Sequence, residues 1–162
     1  MSTGLWWNDF EEGSRWRTGE RRVTQADVEV FSGLSGDENR LHLDDDYARA
    51  AGYEGRIAQG VLGLAVATGL LNRLELTRGT LVALLGTTWN FLRPLYPGTV
   101  VHADIALGSA LQTSRPDRGL VVLEAALADD AGTVYQRGEF TLLVRRRSAE
   151  SAGWRGGERA PA

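Results

Sequence analysis

Residues 60–74 carry the pattern that most restricts the fold. They read Gly-Val-Leu-Gly-Leu-Ala-Val-Ala-Thr-Gly-Leu-Leu-Asn-Arg-Leu. Apolar residues fill nearly every position from Val61 to Leu71, so a helix buried on almost all sides is expected. The run is too short to cross a bilayer. Four segments with strand-like patterning follow, at 81–92, 100–111, 119–128 and 133–146. Turn-forming stretches at 94–98, 112–118 and 129–132 separate them. A helix that must be covered, followed by strands joined by short turns, implies an α+β domain. One meander-like antiparallel sheet would pack on one long helix.

The chain before the helix is read in the same way. Residues 1–13, with Trp6, Trp7 and Phe10, form an N-terminal arm packed on the body, and 14–23 form a first, edge-like strand. Thr24 caps a helix with Asp27 in its first turn, and Val28, Phe31 and Leu34 form its inward face. A second short helix covers 45–51, with Tyr47, Ala48 and Ala51 as its buried side. The body of the domain is thus 14–146, and the Arg-, Gly- and Ala-rich stretch 147–162 reads as a disordered tail.

Composition removes several kinds of chemistry. With 162 residues, 43% of them hydrophobic, the chain can bury the core of one soluble domain. The formal net charge of −3 argues against a nucleic-acid surface. There is no cysteine, hence no disulfide, thiolate metal site or cysteine nucleophile. There is no lysine either, which excludes Schiff-base chemistry, and two histidines are too few for a multi-histidine metal site. The N-terminus lacks a basic region followed by an apolar stretch, so no secretion signal is expected and a cytoplasmic setting is the default.

The candidate chemistry lies in 35–44, Ser-Gly-Asp-Glu-Asn-Arg-Leu-His-Leu-Asp, and in Arg56-Ile57-Ala58-Gln59-Gly60 at the helix start. The first stretch puts the carboxylate of Asp37, the carboxamide of Asn39 and the imidazole of His42 on one loop. The second opens a helix on glycine, where backbone N–H groups are free to bind an anion. A base, an acid and an anion hole are the parts needed to add water across a double bond beside a carbonyl. Asp44 reads as a helix cap, and Glu38 and Arg40 as solvated, with a phosphate contact open to Arg40. The hydroxyl of Thr68 either bonds back to its own helix or meets substrate. His102, in an alternating strand, reads as structural.

These motifs resemble those of the MaoC-like dehydratases, the (R)-specific enoyl-CoA hydratases or hydratase 2 family, whose fold is the hot-dog. The resemblance rests on Asp37-x-Asn39-x-x-His42-x-Asp44, on Arg56-Ile57-Ala58-x-Gly60, on Phe91-x-x-Pro94-x-x-Pro97-Gly98 and on Gly138-Glu139. It implies that Asp37 and His42 hold and activate water, that Asn39 shapes their loop, and that the Gly60 N–H binds the thioester oxygen. It places Thr68 near the acyl pocket. Gln59 stands where the family usually has histidine, and Arg40 where it commonly has proline; the second departure is expected to reshape the mouth of the site. The resemblance implies an enoyl or 3-hydroxyacyl thioester as substrate, the latter in its (R) form, carried on coenzyme A or an acyl carrier protein. No metal or redox cofactor is implied.

Two other readings stay open. One is a thioesterase on the same fold, although the helix interior has no carboxylate before Glu75. The other is a non-catalytic, acyl-binding subunit that supports another hot-dog chain. A single unit leaves a sheet edge exposed, so a homodimer is expected, with no nucleic-acid or membrane partner.

Overall fold

A computed structural model describes residues 4–147. Residues 1–3 of the expected arm and 148–162 of the expected tail lie outside the described residues. The elements run β1 (Arg15–Arg17), β2 (Arg21–Arg22), α1 (Gln25–Ser35), α2 (Arg40–Leu43), α3 (Asp45–Ala50), α4 (Gly60–Arg73), β3 (Leu81–Phe91), β4 (Val100–Gln112), β5 (Arg118–Ala128) and β6 (Val134–Arg145). All strand pairings are antiparallel, in the order β1-β4-β5-β6-β3, with β2 also on β4. This is the expected α+β arrangement of one long helix and one sheet.

The sheet buries one face. Along β5, Val121, Leu123, Ala125 and Leu127 are buried at every second position, and Ile105, Phe140 and Val144 of the neighbouring strands join them. Leu62, Val66, Ala67 and Leu70 of α4 close the same core. Burying Leu62, Val66 and Leu70 is worth roughly 5–8 kcal/mol together. Among the described residues no helix is long and apolar enough to cross a membrane.

Four expectations are corrected. The sheet is a meander only through β4-β5-β6, because β3 joins at β6 rather than at β4. The connection after β3 crosses the start of α4, where Ala58 N–H bonds the carbonyl of the buried Leu95 at 2.7 Å, and it leads to β4 on the other side of β5 and β6. The 14–23 segment is two short strands. Helix α4 is covered on one side only: Val61, Ala65, Thr68, Gly69 and Asn72 form an exposed stripe.

The fourth correction concerns the inward faces of the two small helices. Leu34 is 82% exposed and Ser32 is buried. At about 100° per residue, Ser32 lies only about 40° round α1 from the buried Val28, whereas Leu34 lies about 120° away. On α3 only Ala48 is buried, and Tyr47 lies outside beneath the Arg40 guanidinium, 4.5 Å from its ring centre.

The arm from Gly4 packs on the body. Its Gly4 and Leu5 N–H groups bond the Arg78 and Leu76 carbonyls, Trp7 donates to the Leu120 carbonyl at 3.1 Å, and Phe10 is buried. Arg147 joins this contact through Asn8 and Asp9.

Candidate active site

Local rules bring the polar loop to the end of α1. Thr24 and Asp27 cap one end of that helix reciprocally. At the other end Gly36 takes a left-handed conformation, φ +75°, and its N–H bonds the Ser32 carbonyl at 2.8 Å. The chain turns there and presents Asp37. Asn39 is the N-cap of α2: its Oδ1 accepts from Leu41 N–H at 3.0 Å, while its own N–H reaches Asp37 Oδ1 at 3.3 Å. The single turn of α2 then points His42 inward, where its side chain is 11% exposed.

Two bonds to Ile57 fix the imidazole to the strand-like entry of α4. Ile57 N–H donates to the Leu41 carbonyl at 3.1 Å, and the Ile57 carbonyl lies 2.8 Å from His42 Nδ1. A carbonyl only accepts, so the Nδ1 proton is assigned to that bond. In the neutral ring Nε2 then carries a lone pair. It faces Asp37 Oδ2 at 3.7 Å, beyond a direct hydrogen bond but close enough for one water to touch both. The Asp37 side chain is 46% exposed, so solvent reaches the pair.

Gly60 begins α4 three residues after Ile57. Its N–H has no carbonyl to bond within the helix. Gln59, the N-cap, supplies no side-chain cap either. Its side chain is buried and runs to α1, where Nε2 donates to Ser32 Oγ at 2.8 Å. A Cβ at Gly60 would lie 2.9 Å from the Phe91 ring, which already packs against that side of the residue.

The other singled-out residues fall as follows. Arg40 is held by Asp44 at 2.6 Å and by the Tyr47 ring. Asp44 caps α3 through Tyr47 N–H at 3.0 Å; that bond, then Arg40, holds its carboxyl below the usual range. Asp45 is lowered by Arg56 N–H and then by the Arg56 charge, which ties α3 to the segment that carries Ile57. Thr68 Oγ bonds back to the Leu64 carbonyl at 3.0 Å and lines an apolar cavity of about 500 Å³ with Leu71, Leu84, Leu123 and Phe140. His102 is buried between Asp104 and Asp130. A larger groove of about 650 Å³ lies on the outer face of the sheet, lined by Asn90, Asp104, Arg137 and Glu139, and includes none of Asp37, His42 or Gly60. Among the described residues no cluster of three or more His, Asp or Glu side chains is placed to hold a metal ion.

The structure therefore gathers Asp37, Asn39, His42 and the start of α4 into one region, and it turns Arg40 and the Gln59 side chain away from it. The polar roles of two residues near Gly60 escaped sequence reasoning: Gln136 donates from Nε2 to the Gly60 carbonyl at 3.2 Å, and Trp89 donates from Nε1 to Gln136 Oε1 at 2.8 Å. A glutamine in a strand carries no periodic signal, and the partners are 76 and 47 residues away in sequence.

Comparison with known proteins gives the family and the fold. An (R)-specific enoyl-CoA hydratase of Aeromonas caviae is 30% identical over 124 residues, covering 76% of this chain and 88% of the relative. The crystal structure of a MaoC-like dehydratase from Rhodospirillum rubrum, 28% identical, superposes with a TM-score of 0.78 over 90% of this chain and 99% of that one. A Mycobacterium tuberculosis protein with a double hot-dog fold, 19% identical, gives 0.78 over 95% of this chain and 47% of its own, which identifies the fold as one hot-dog unit. The model of the MaoC like domain matches residues 10–123, and the chain belongs to that family.

Proposed function

We propose that the protein is a hydratase/dehydratase that reversibly adds water to a trans-2-enoyl thioester. The observation that carries this reading is the Asp37–His42 pair: two acceptors 3.7 Å apart, open to solvent, with the imidazole oriented by Ile57. A water touching both is oriented and activated. As its oxygen bonds the β-carbon, it loses one proton to the pair, and electrons move through the double bond onto the thioester oxygen. The Gly60 N–H, at the positive end of α4, meets that developing charge. The pair then returns a proton to the α-carbon, giving a 3-hydroxyacyl thioester, with (R) configuration as in the Aeromonas caviae relative. The acyl chain is assigned to the cavity at Thr68 and Leu71, and the carrier to coenzyme A or an acyl carrier protein. Helix α4 bears no carboxylate, which counts against the thioesterase reading.

The functional unit in this proposal is a homodimer. Strand β3 ends the sheet, and its Leu81, Val82, Leu84, Leu85 and Phe91 are 41–57% exposed. An edge of that kind, beside the bare stripe of α4, suits a second copy.

The test follows the ultraviolet band of crotonyl-CoA. Wild type is expected to remove it, and Asp37→Asn and His42→Ala to be slower by roughly 10²–10⁴-fold each. Full activity in both variants would sink the assignment, and inertness of wild type with enoyl-CoA and enoyl-carrier substrates alike would favour a non-catalytic subunit.

A further inference from the structure

The oxyanion donor assigned above is the N–H of a glycine, which has no side chain to fix its own direction. The fastening must come from outside. On one side it comes from the buried Gln59, whose carboxamide is bonded to Ser32 Oγ and, at 3.4 Å, to the Val28 carbonyl. That bond ties the peptide before Gly60 to α1. On the other side, Gln136 of β6 donates from Nε2 to the Gly60 carbonyl, and so ties the following peptide to the sheet.

The Gln136 amide has no freedom to reverse. The Trp89 indole is a donor only, so it must meet Oε1, and the Gly60 carbonyl is an acceptor only, so it must meet Nε2. The residue is 2% exposed. Its carboxamide lies in a space that exists because residue 63 is glycine: a Cβ there would come 2.2 Å from Nε2. Trp89 is itself seated against the buried Phe140 ring, with centroids 5.3 Å apart. A rigid chain of contacts thus runs from the sheet core to the first peptide of α4.

We propose that Gln136 is a positioning residue for catalysis: held by Trp89, it sets the direction of the Gly60 N–H toward the thioester oxygen. The inference rests on the hydratase reading. It also makes a claim about the Gly60 peptide that does not depend on activity.

Gln136→Met keeps the length of the side chain and removes both hydrogen bonds; Trp89→Phe keeps an aromatic ring and removes the donor. With an enoyl-CoA substrate, Gln136→Met is expected to lower kcat by about 10- to 100-fold with KM nearly unchanged, because the misdirected N–H is missed in the transition state rather than in the ground state. Trp89→Phe is expected to fall between it and wild type. Gln136→Glu separates positioning from packing. Its activity relative to wild type is expected to rise as pH falls, when a protonated carboxyl can again donate to the Gly60 carbonyl. The second readout is the order of the Gly60 amide by ¹⁵N relaxation, expected to drop in Gln136→Met while the α4 interior keeps its order. An active wild type with unchanged kcat in Gln136→Met overturns the proposal. If wild type proves inactive, the hydratase reading fails separately. In that case an unchanged Gly60 amide order overturns the positioning as well, and a lowered one upholds the clamp.

Discussion

Gly63→Ala measures how tightly the first turn of α4 is fitted to the sheet. Two effects oppose each other. Alanine is a better helix former than glycine in a helix interior by about 0.8–1.0 kcal/mol. Against that, the new Cβ would meet Gln136 at 2.2 Å from Nε2, 2.5 Å from Oε1 and 2.6 Å from Cδ. No carbon sits that close, and Gln136 cannot swing away cheaply because it is buried and bonded at both ends of its amide. Overpacking of this kind costs about 1–3 kcal/mol. Losing the two hydrogen bonds adds about 0.5–1.5 kcal/mol each. The net expectation is a destabilisation of about 3 kcal/mol, equivalent to a fall in Tm of roughly 6–12 °C for a chain of this size. Gly33→Ala in α1 is the control, since a Cβ there meets nothing within 4 Å and carries the propensity gain alone. The assay is thermal unfolding followed by circular dichroism. A Gly63→Ala protein that melts with or above wild type would refute the reasoning, because the Gln136 carboxamide would then not occupy the space beside residue 63.

The remaining predictions concern assembly and pH. Leu85→Arg places a charge on the exposed β3 edge, 57% exposed in the single chain; light scattering is expected to show a dimer for wild type and a monomer for the variant, and a wild-type monomer would contradict the dimer. Asp44 and Asp45 are held below their ordinary value of 3.8, chiefly by the Tyr47 and Arg56 N–H groups respectively. A carboxylate lowered on folding contributes stability that is present above its unfolded value and lost as pH falls through its folded one. The urea midpoint is therefore expected to hold from neutral pH to about pH 5 and to drop below 3.8, with a smaller drop in Asp45→Asn; equal drops in both proteins would remove Asp45 from the explanation.

Much of the fold was legible because it rests on local rules and simple periods. The four long strands fall within a few residues of their expected ends, since alternation and turn residues mark them directly. Helix α1 begins just after Thr24, where the Thr24–Asp27 capping box is a four-residue signal. What could not be read depends on distant chain. The placement of β3 beside β6 follows from the crossing at Ala58 and Leu95, which no spacing announces. The exposure of one face of α4 reflects a surface on which the single chain has nothing to pack; the apolar pattern showed that the face wants cover and could not say that this chain leaves it bare.

The site divides along the same line. Asp37, Asn39 and His42 were legible because they lie on six consecutive residues, and a loop that short brings their side chains together whatever surrounds it. The orientation of the His42 ring was not, because it is set by the Ile57 carbonyl, fifteen residues away. Gly60 shows the consequence most clearly. The sequence marks it as a helix start, but a glycine N–H is a useful donor only when its peptide is held, and the holders, Ser32 through Gln59 and Trp89 through Gln136, come from α1 and from two strands of the sheet. Gln59 therefore need not reproduce what a histidine at that position would do in the site. Its carboxamide points into α1 and anchors the backbone just before Gly60, so in the proposed reaction replacing it is expected to disturb the direction of the Gly60 N–H rather than to remove a reacting group.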